Sequence, residues 1–327
     1  MADKNELQRR NGMIKATDDE FVAAWNKYHS VTKVAAALGM STRQTNTRRR
    51  QIEVNRGIKL NAAKVVYGNQ PGRVDLGILN GTVIVFSDAH FWGYRSTANK
   101  ALIWAINKLK PQAVIANGDI FDGAGISRHP RIGWTKQPTV LEELRACTDA
   151  MGEIEEAAKK ARHNVWLTWC LGNHDARYEN FLAAHASQYE SVDGFQLKDH
   201  FPAWKPAWAC WINEDTVVKH RYRGGIHATH NNTLLSGLHT ITGHLHSLKV
   251  TPFTDYRGTR YGVDTGCLAE TDGKQFSDYL EMNPTNWRSG FAVLTFVDGK
   301  LLMPELVIKH SEDAVEFRGE IIDVSEV

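Results

Sequence analysis

A chain of 327 residues, 42% of them hydrophobic, suits one large domain with a small appendage and can bury a substantial core. A formal net charge of +2 excludes a global field that draws in polyanions; no apolar run is long enough to span a bilayer, and nothing resembles a secretory leader. The four cysteines (Cys147, Cys170, Cys210 and Cys267) form no CxxC pair and read as reduced packing thiols of a cytoplasmic protein with no membrane partner.

Residues 1–16 are polar. From Thr17 the sequence predicts a helix, with Thr17 as N-cap, Asp18, Asp19 and Glu20 in the first turn, and Phe21, Val22 and Trp25 as its apolar face. Ser30 is placed to cap a second helix carrying Val31, Val34, Ala35 and Leu38 at helical spacing. Gly39 ends it, and Ser41 can cap a third helix through Glu53 that offers little to a core. Arg43, Arg48, Arg49, Arg50 and Arg56 crowd this segment. Residues 57–80 read as a linker, broken by Gly68, Asn69, Pro71 and Gly72, between a 1–56 module and an 81–327 domain.

The texture then changes. Val83–Ser87, Ala113–Ala116 and Val165–Leu171 are short apolar runs with the pattern of buried strands, separated by helical patterns over Ala98–Leu109 and Pro138–Ala161. Beyond residue 210, strands follow one another with little helix between: Thr216–Lys219, Thr240–Thr242, Lys249–Tyr256, Arg260–Thr265, Phe291–Val297 and Leu301–Ile308. The alternation argues for α/β layering, a sandwich of two sheets flanked by helices.

Four of these runs end in metal-capable residues. Val83–Ser87 leads into Asp88-Ala89-His90, and Ala113–Ala116 into Asn117-Gly118-Asp119 with Asp122 close behind. Val165–Leu171 leads into Gly172-Asn173-His174-Asp175, and Thr240–Thr242 into Gly243-His244-Leu245-His246. A lone DxH or HxH is most often a polar turn; four such clusters, each directly after an apolar run, are not. The chemistry wants such a set, because two cations about 3.5–4 Å apart clamp a phosphoryl group and acidify a bridging water into a nucleophile. Mixed oxygen and nitrogen donors suit Mn, Fe, Zn or Ni better than Mg, with Mn favoured. Gly118, Gly172 and Gly243 let the backbone approach closely.

These motifs resemble the signature of the calcineurin-like metallophosphoesterase superfamily over residues 82–310. The resemblance implies an αββα sandwich with a dinuclear centre: Asp88, His90 and His246 on one metal, Asn173 and His244 on the other, and Asp119 bridging. His174 would be the general acid, oriented by Asp122. The family also expects a His before the last motif. Of His220, His227 and His230, His220 is preferred, because only Thr216–Lys219 delivers a His from a strand-like run. The phosphate-binding Arg that the protein Ser/Thr phosphatase branch carries after the second Asp of GDxxD is Gly123 here, so that branch's activity is not implied. Arg128 and His129 could supply positive charge or be plain surface loop; Trp92 and Tyr94 could stack on a base or pack at the rim.

The N-terminal helices resemble a helix-turn-helix, which would set Arg43, Gln44 and Asn46 on base edges and Arg48, Arg49 and Arg50 on phosphates of DNA or RNA. The bland alternative is a solvated basic helix that docks on protein or RNA. A helix-turn-helix followed by a metallophosphoesterase resembles phosphoesterases of tailed bacteriophages and prophages, which implies the host-cell cytoplasm. The leading expectation is a nucleic-acid-associated phosphodiesterase or nuclease. The alternative is a phosphomonoesterase or small-molecule phosphodiesterase with a regulatory module.

Overall fold

The computed structural model describes residues 16–28, 31–60, 72–92, 94–128, 134, 136–271, 276, 280 and 283–327. The chain divides into two units, Met1–Val66 and Tyr67–Val327.

The first unit holds α1 (Asp18–Tyr28), α2 (Val31–Ala37) and α3 (Thr42–Arg56). Thr17 starts α1 by a reciprocal cap: its Oγ1 accepts the Glu20 amide at 3.3 Å, and Glu20 accepts the Thr17 amide at 2.8 Å. Ser41 and Gln44 repeat the device at α3, which stops at Gly57 with a φ of +62°. Ser30, expected to cap α2, lies outside the described residues. Phe21, Trp25, Val34, Ile52 and Leu60 form a small core. Thr45 occupies the inward face of α3 where an aliphatic is usual, and it disposes of its hydroxyl on the Ser41 carbonyl at 3.0 Å.

The second unit contains β1 (Arg73–Leu76), β2 (Gly81–Phe86), α4 (Thr97–Leu109), β3 (Ala113–Ala116), α5 (Val140–Ala161), β4 (Trp166–Cys170), α6 (Asp175–His185), β5 (Lys205–Ala207), β6 (Ala209–Ile212), β7 (Thr216–Val218), α7 (Ala228–Ser236), β8 (His239–Thr242), β9 (Lys249–Asp255), β10 (Gly258–Asp264), β11 (Gly290–Val297), β12 (Lys300–Leu301), β13 (Glu305–Ser311), β14 (Ala314–Phe317) and β15 (Glu320–Asp323). One sheet runs β15-β14-β13-β11-β2-β3-β4-β5, with β12 on β11; the other runs β1-β6-β7-β8-β10-β9.

Period-two alternation builds two cores from one strand. Val83 and Val85 of β2 point between the sheets, into a cluster with Ile115, Ile212, Ile241 and Leu294. Ile84 and Phe86 point the other way, to Leu102 and Ile106 of α4 and Met151 and Ile154 of α5. On the far side of the smaller sheet, α7 packs on β8, β9 and β10. The layers are therefore helix, sheet, sheet, helix, as the family resemblance implies.

Register sets the site. β2, β3 and β4 pair in parallel, with Phe86 opposite Ala116 and Ala116 opposite Trp169, so three strands end level with one another. In the smaller sheet β7 and β8 are also parallel, Val218 opposite Ile241.

Several expectations are corrected. Residues 57–80 are not all linker: Arg73–Leu76 is strand β1, its buried Val74 and Leu76 alternating with Arg73 and Asp75 against β6. Leu301–Ile308 splits into β12 and β13 around Pro304, which lacks an amide hydrogen for a ladder. Among the strands beyond residue 210, where little helix is expected, α7 intervenes with His227 at its start.

Candidate metal centre

The level strand ends place the polar motifs side by side, and backbone hydrogen bonds carry the pairing past the strands. The Asp88 amide donates to the Gly118 carbonyl at 2.9 Å, and the His90 amide to the Asp119 carbonyl at 3.1 Å. The turns are tight enough to force side-chain-bearing residues into left-handed backbone. Asp88, His90, Asp119, His244 and His246 have φ of +51°, +42°, +51°, +73° and +55°, five of the eleven non-glycine residues with positive φ among those described. Such strain concentrates where a fold must aim particular side chains. A Cβ on Gly172 would lie 2.1 Å from Asp119 Oδ1, and one on Gly118 2.4 Å from the His220 ring. These glycines make room for the polar side chains themselves.

Three groups of side chains converge, each with ligand-capable atoms within 4.8 Å of one another: Asp88, His90 and His246; Asp119, His220 and His244; and His90, Asp122 and His174. What each imidazole does with its two nitrogens separates metal donors from proton carriers. His90 Nδ1 lies 3.0 Å from Asp122 Oδ1, while its Nε2 is buried without a partner. His220 Nδ1 lies 2.7 Å from the Asn117 carbonyl; its Nε2 is 3.0 Å from Asp119 Oδ2 but makes no hydrogen bond. His246 Nε2 lies 3.0 Å from Asp88 Oδ1, leaving Nδ1 buried and unpaired. Asn173 Oδ1 is buried and unpaired as well. Buried polar atoms without partners are costly, and those of His90, His220 and His246 gather beside Asp88 and Asp119. A pair of divalent cations fits this donor set: it would give these atoms their missing partners.

The electrostatics agree. Burial opposes the charge on Asp88 and Asp119, yet the surrounding histidines, His246 and His220 foremost, hold both carboxyls below their ordinary range. His220 is pulled down by burial but pushed up to about 9 by Asp88 and Asp119. Burial and the neighbouring His220 lower His244. The site is strongly polarised, with negative charge that needs cationic company.

His174 is arranged differently. Its Nδ1 lies 2.6 Å from Asp122 Oδ1, and its Nε2 lies 3.8 Å from Asp119 Oδ2. Burial works against its charge, but the Asp122 hydrogen bond and the charge of Asp119 raise its pKa overall. Asp122 thus serves two imidazoles, His174 and His90, where the resemblance implied only the first. Arg177, two residues into α6 and not singled out from the sequence, donates to the Asp122 carbonyl at 2.9 Å and sits 3.0 Å from His174 Nε2. The side chain of Arg177 fills the space beside Gly123, whose added Cβ would lie 3.3 Å from it. A guanidinium therefore stands at this corner although the residue after Asp122 is glycine.

Asp175, the last residue of the third motif, is a second omission. Its Oδ2 accepts from the amides of Gly172 (2.7 Å) and Asp119 (2.9 Å) and from Trp169 Nε1 (3.1 Å). Its Oδ1 accepts from Ile120 (2.9 Å) and Phe121 (3.0 Å). One carboxylate ties together the loops that carry Asp119 and Asn173. Burial and the Asp119 charge push it up to about 6, against the pull of those amides. In Asp175→Asn the amide nitrogen must face at least two of these donors. Each donor left unsatisfied costs about 1–3 kcal/mol, so stability should fall by about 2–6 kcal/mol together with loss of bound metal. Thermal unfolding with and without added Mn²⁺ checks this; an unchanged Tm would remove Asp175 from the role.

The remaining positions are more scattered. Trp92 and Tyr94 line an open groove of 840 Å³ with Asp149, Glu153 and Glu156. Phe276 and Trp287 pack on His246, with ring centroids 6.1 and 4.4 Å away. His230 packs on Phe253, and His227 is exposed at the start of α7, so His220 alone of the three joins a ligand group. Arg128 is exposed, and His129 lies outside the described residues. In the first unit, Arg43, Asn46 and Arg50 are exposed on α3. Gln44 accepts the Ser41 amide in the helix cap. Arg48, expected on phosphate, pairs with Asp18 at 2.6 Å; Arg49 pairs with Glu53 at 3.0 Å and lies 4.8 Å from the Trp25 ring.

A layered αββα sandwich with Asp and His side chains converging at its strand ends defines a metallophosphoesterase. A family model for calcineurin-like phosphoesterases matches residues 81–256, and the chain belongs to that family. It is 27% identical over 264 residues to the Gene 54 protein of Mycobacterium phage L5, covering 69% of this chain and 92% of that protein. Solved structures of similar architecture include Vps29 of Entamoeba histolytica in complex with zinc, at a TM-score of 0.37 and 13% identity over 75% of this chain and 99% of that one. A dimetal phosphatase from Danio rerio follows, at 0.35 and 11% over 76% and 99%. No helix among the described residues is long and apolar enough to cross a membrane.

Proposed function

We propose that the chain is a dinuclear-metal phosphodiesterase that acts on nucleic acid. Asp88, His90 and His246 would hold one cation and Asn173, His220 and His244 the other, and Asp119 would serve both. The observation that carries this reading is the set of buried, unpaired nitrogens on His90, His220 and His246, gathered beside the two carboxylates, with Asn173 Oδ1 buried and unpaired on the neighbouring loop. The mixed nitrogen and oxygen donors suit Mn²⁺ first, with Fe, Zn or Ni as substitutes. When bound, two such ions offset charge on a phosphoryl group and acidify an attacking water. Nε2 of His174 faces the Arg177 guanidinium, which can only donate, so His174 would carry the leaving-group proton there once Arg177 turns to the phosphoryl group. Asp122 holds its other nitrogen and so fixes the direction of that proton, and Arg177 offers donors to a phosphoryl oxygen beside it. One test compares bis-p-nitrophenyl phosphate, p-nitrophenyl phosphate and labelled DNA in the presence of Mn²⁺. The diester and the DNA should be cut and the monoester disfavoured; a preference for the monoester overturns the reading.

Nucleic acid as substrate rests on the first unit and on the exposed Arg43, Asn46 and Arg50. Pairing of Arg48 and Arg49 within the unit favours a second reading, a small-molecule phosphoesterase whose helices regulate or tether it. Log affinity for duplex DNA should fall with log salt at about −0.9 per phosphate neutralised. Replacing Arg43 and Arg50 together with Ala should therefore flatten the slope by up to about two units. Replacing Arg48 and Arg49 should change it less, since their charge is already met by Asp18 and Glu53. Salt-insensitive binding of the unaltered protein would favour the second reading.

A further inference from the structure

Several basic side chains of the larger unit are matched to a carboxylate. Arg95 pairs with Glu153, Lys100 with Asp313, Arg260 with Asp255 and Arg318 with Glu305. The stretch that follows β7 gathers cations that are not matched in this way. Lys219, Arg221 and Arg223 have no carboxylate within 4.0 Å among the described residues, and neither has Lys249 at the start of β9. Arg221 and Arg223 are exposed. Lys249 Nζ donates to the Ile226 carbonyl at 2.7 Å, which brings a fourth cation to the same loop. Tyr222 is 44% exposed, with the Lys219 ammonium 5.1 Å from its ring. The loop is held in place: the Arg223 amide donates to Asn232 Oδ1 of α7 at 2.9 Å. It begins directly after His220, and so borders the ligand group of Asp119, His220 and His244.

The groove beside Trp92 and Tyr94 carries Asp149, Glu156 and a Glu153 already paired with Arg95, and so offers a polyanion no net attraction. A strand of phosphodiesters entering the site is thus drawn toward the loop after β7. We infer that residues 219–223, with Lys249, form a track for the phosphates flanking the scissile bond of a single nucleic-acid strand. Arg221 and Arg223 meet successive phosphates, and Tyr222 between them offers a ring on which a base stacks. This rests on the reading of the protein as a nucleic-acid phosphodiesterase and names the substrate form that the site takes.

The track should reveal itself by length. Bis-p-nitrophenyl phosphate has no flanking phosphate and cannot use it; a single-stranded tetramer or octamer can. The measurement is inhibition of bis-p-nitrophenyl phosphate hydrolysis by single-stranded oligodeoxynucleotides of two, four and eight nucleotides, at several salt concentrations, with oligonucleotide cleavage followed in parallel. In the unaltered protein, inhibition should strengthen with length. In Arg221→Ala/Arg223→Ala, hydrolysis of the small diester should stay within about twofold, because neither residue belongs to a ligand group. Inhibition by the octamer should weaken about tenfold, and its salt slope should drop by about 1.4, two phosphates at about 0.7 each for single strands. Tyr222→Ala should weaken inhibition without changing the slope. Length-independent inhibition, or an equal loss on small diester and octamer, overturns the track. If oligonucleotides inhibit through Arg221 and Arg223 but are never cut, the track stands and the nuclease reading falls. If they are cut while inhibition ignores both arginines, the reverse holds.

Discussion

Asp119→Asn should strip the protein of most of both cations, from about two per chain. The substitution keeps the shape of the side chain and the oxygen that accepts the His174 amide at 2.8 Å, so the loop has little reason to move. What disappears is a negative charge that His220, His174 and His90 all help to keep ionised against nearly complete burial. An amide also sets an N–H or a neutral oxygen opposite His220 Nε2, 3.0 Å away, where the carboxylate now lies. Elemental analysis of the purified variant reads the result directly. His220→Ala is the partner experiment, since it should lower occupancy at the second ligand group and leave Asp88, His90 and His246 their cation. Asp119→Asn with unchanged metal would end the assignment of that carboxylate to a shared position.

How far the sequence reaches can be argued from particular elements. Apolar runs such as Ala113–Ala116 are legible because every residue is buried, and the polar motif that follows marks where the strand stops. The ligand motifs are legible for the same reason: Asp88, Asp119, Asn173 and His244 each stand just beyond a strand, on turns only a rigid sheet can hold. Helix α7 was hidden because its inward face is polar. Ala228, Thr229, Asn232 and Thr233 are buried at helical spacing while Leu234 and Leu235 point outward, 51% and 56% exposed, so hydrophobic periodicity points the wrong way. Strand β5 contains Pro206, and β1 has only two apolar residues with which to announce itself. Arg177 was hidden because its role depends on reach. A residue on α6 becomes part of the site only when helix geometry returns its side chain over the preceding turn, toward His174 three residues earlier. The double service of Asp122 was hidden too, since spacing along the chain cannot say which imidazole nitrogen faces which carboxylate.

That double service sharpens the expectation for the general acid. His174→Ala should keep its metals, because His174 keeps its own nitrogens busy with Asp122 and Arg177. Its kcat should fall by about 10²–10⁴, the usual worth of a positioned proton donor. The fall should be steep for alkyl-like leaving groups, which need a proton as the bond breaks, and shallow for nitrophenolate, which needs little. The hydrogen bond from Asp122 and the charge of Asp119 raise the pKa of His174 despite its burial, so the protonated form persists above the ordinary histidine range. The decline of kcat on the alkaline side should therefore lie above about pH 6.5 in the unaltered protein and vanish in the variant. Asp122→Asn is the discriminating companion. It weakens the hold on His174 Nδ1 and on His90 Nδ1 together, the latter 3.0 Å away, so it should lower kcat and also loosen the cation held by Asp88, His90 and His246. A uniform loss across leaving groups in His174→Ala, or metal loss in that variant as large as in Asp122→Asn, would show that His174 serves the metals and that the proton comes from elsewhere.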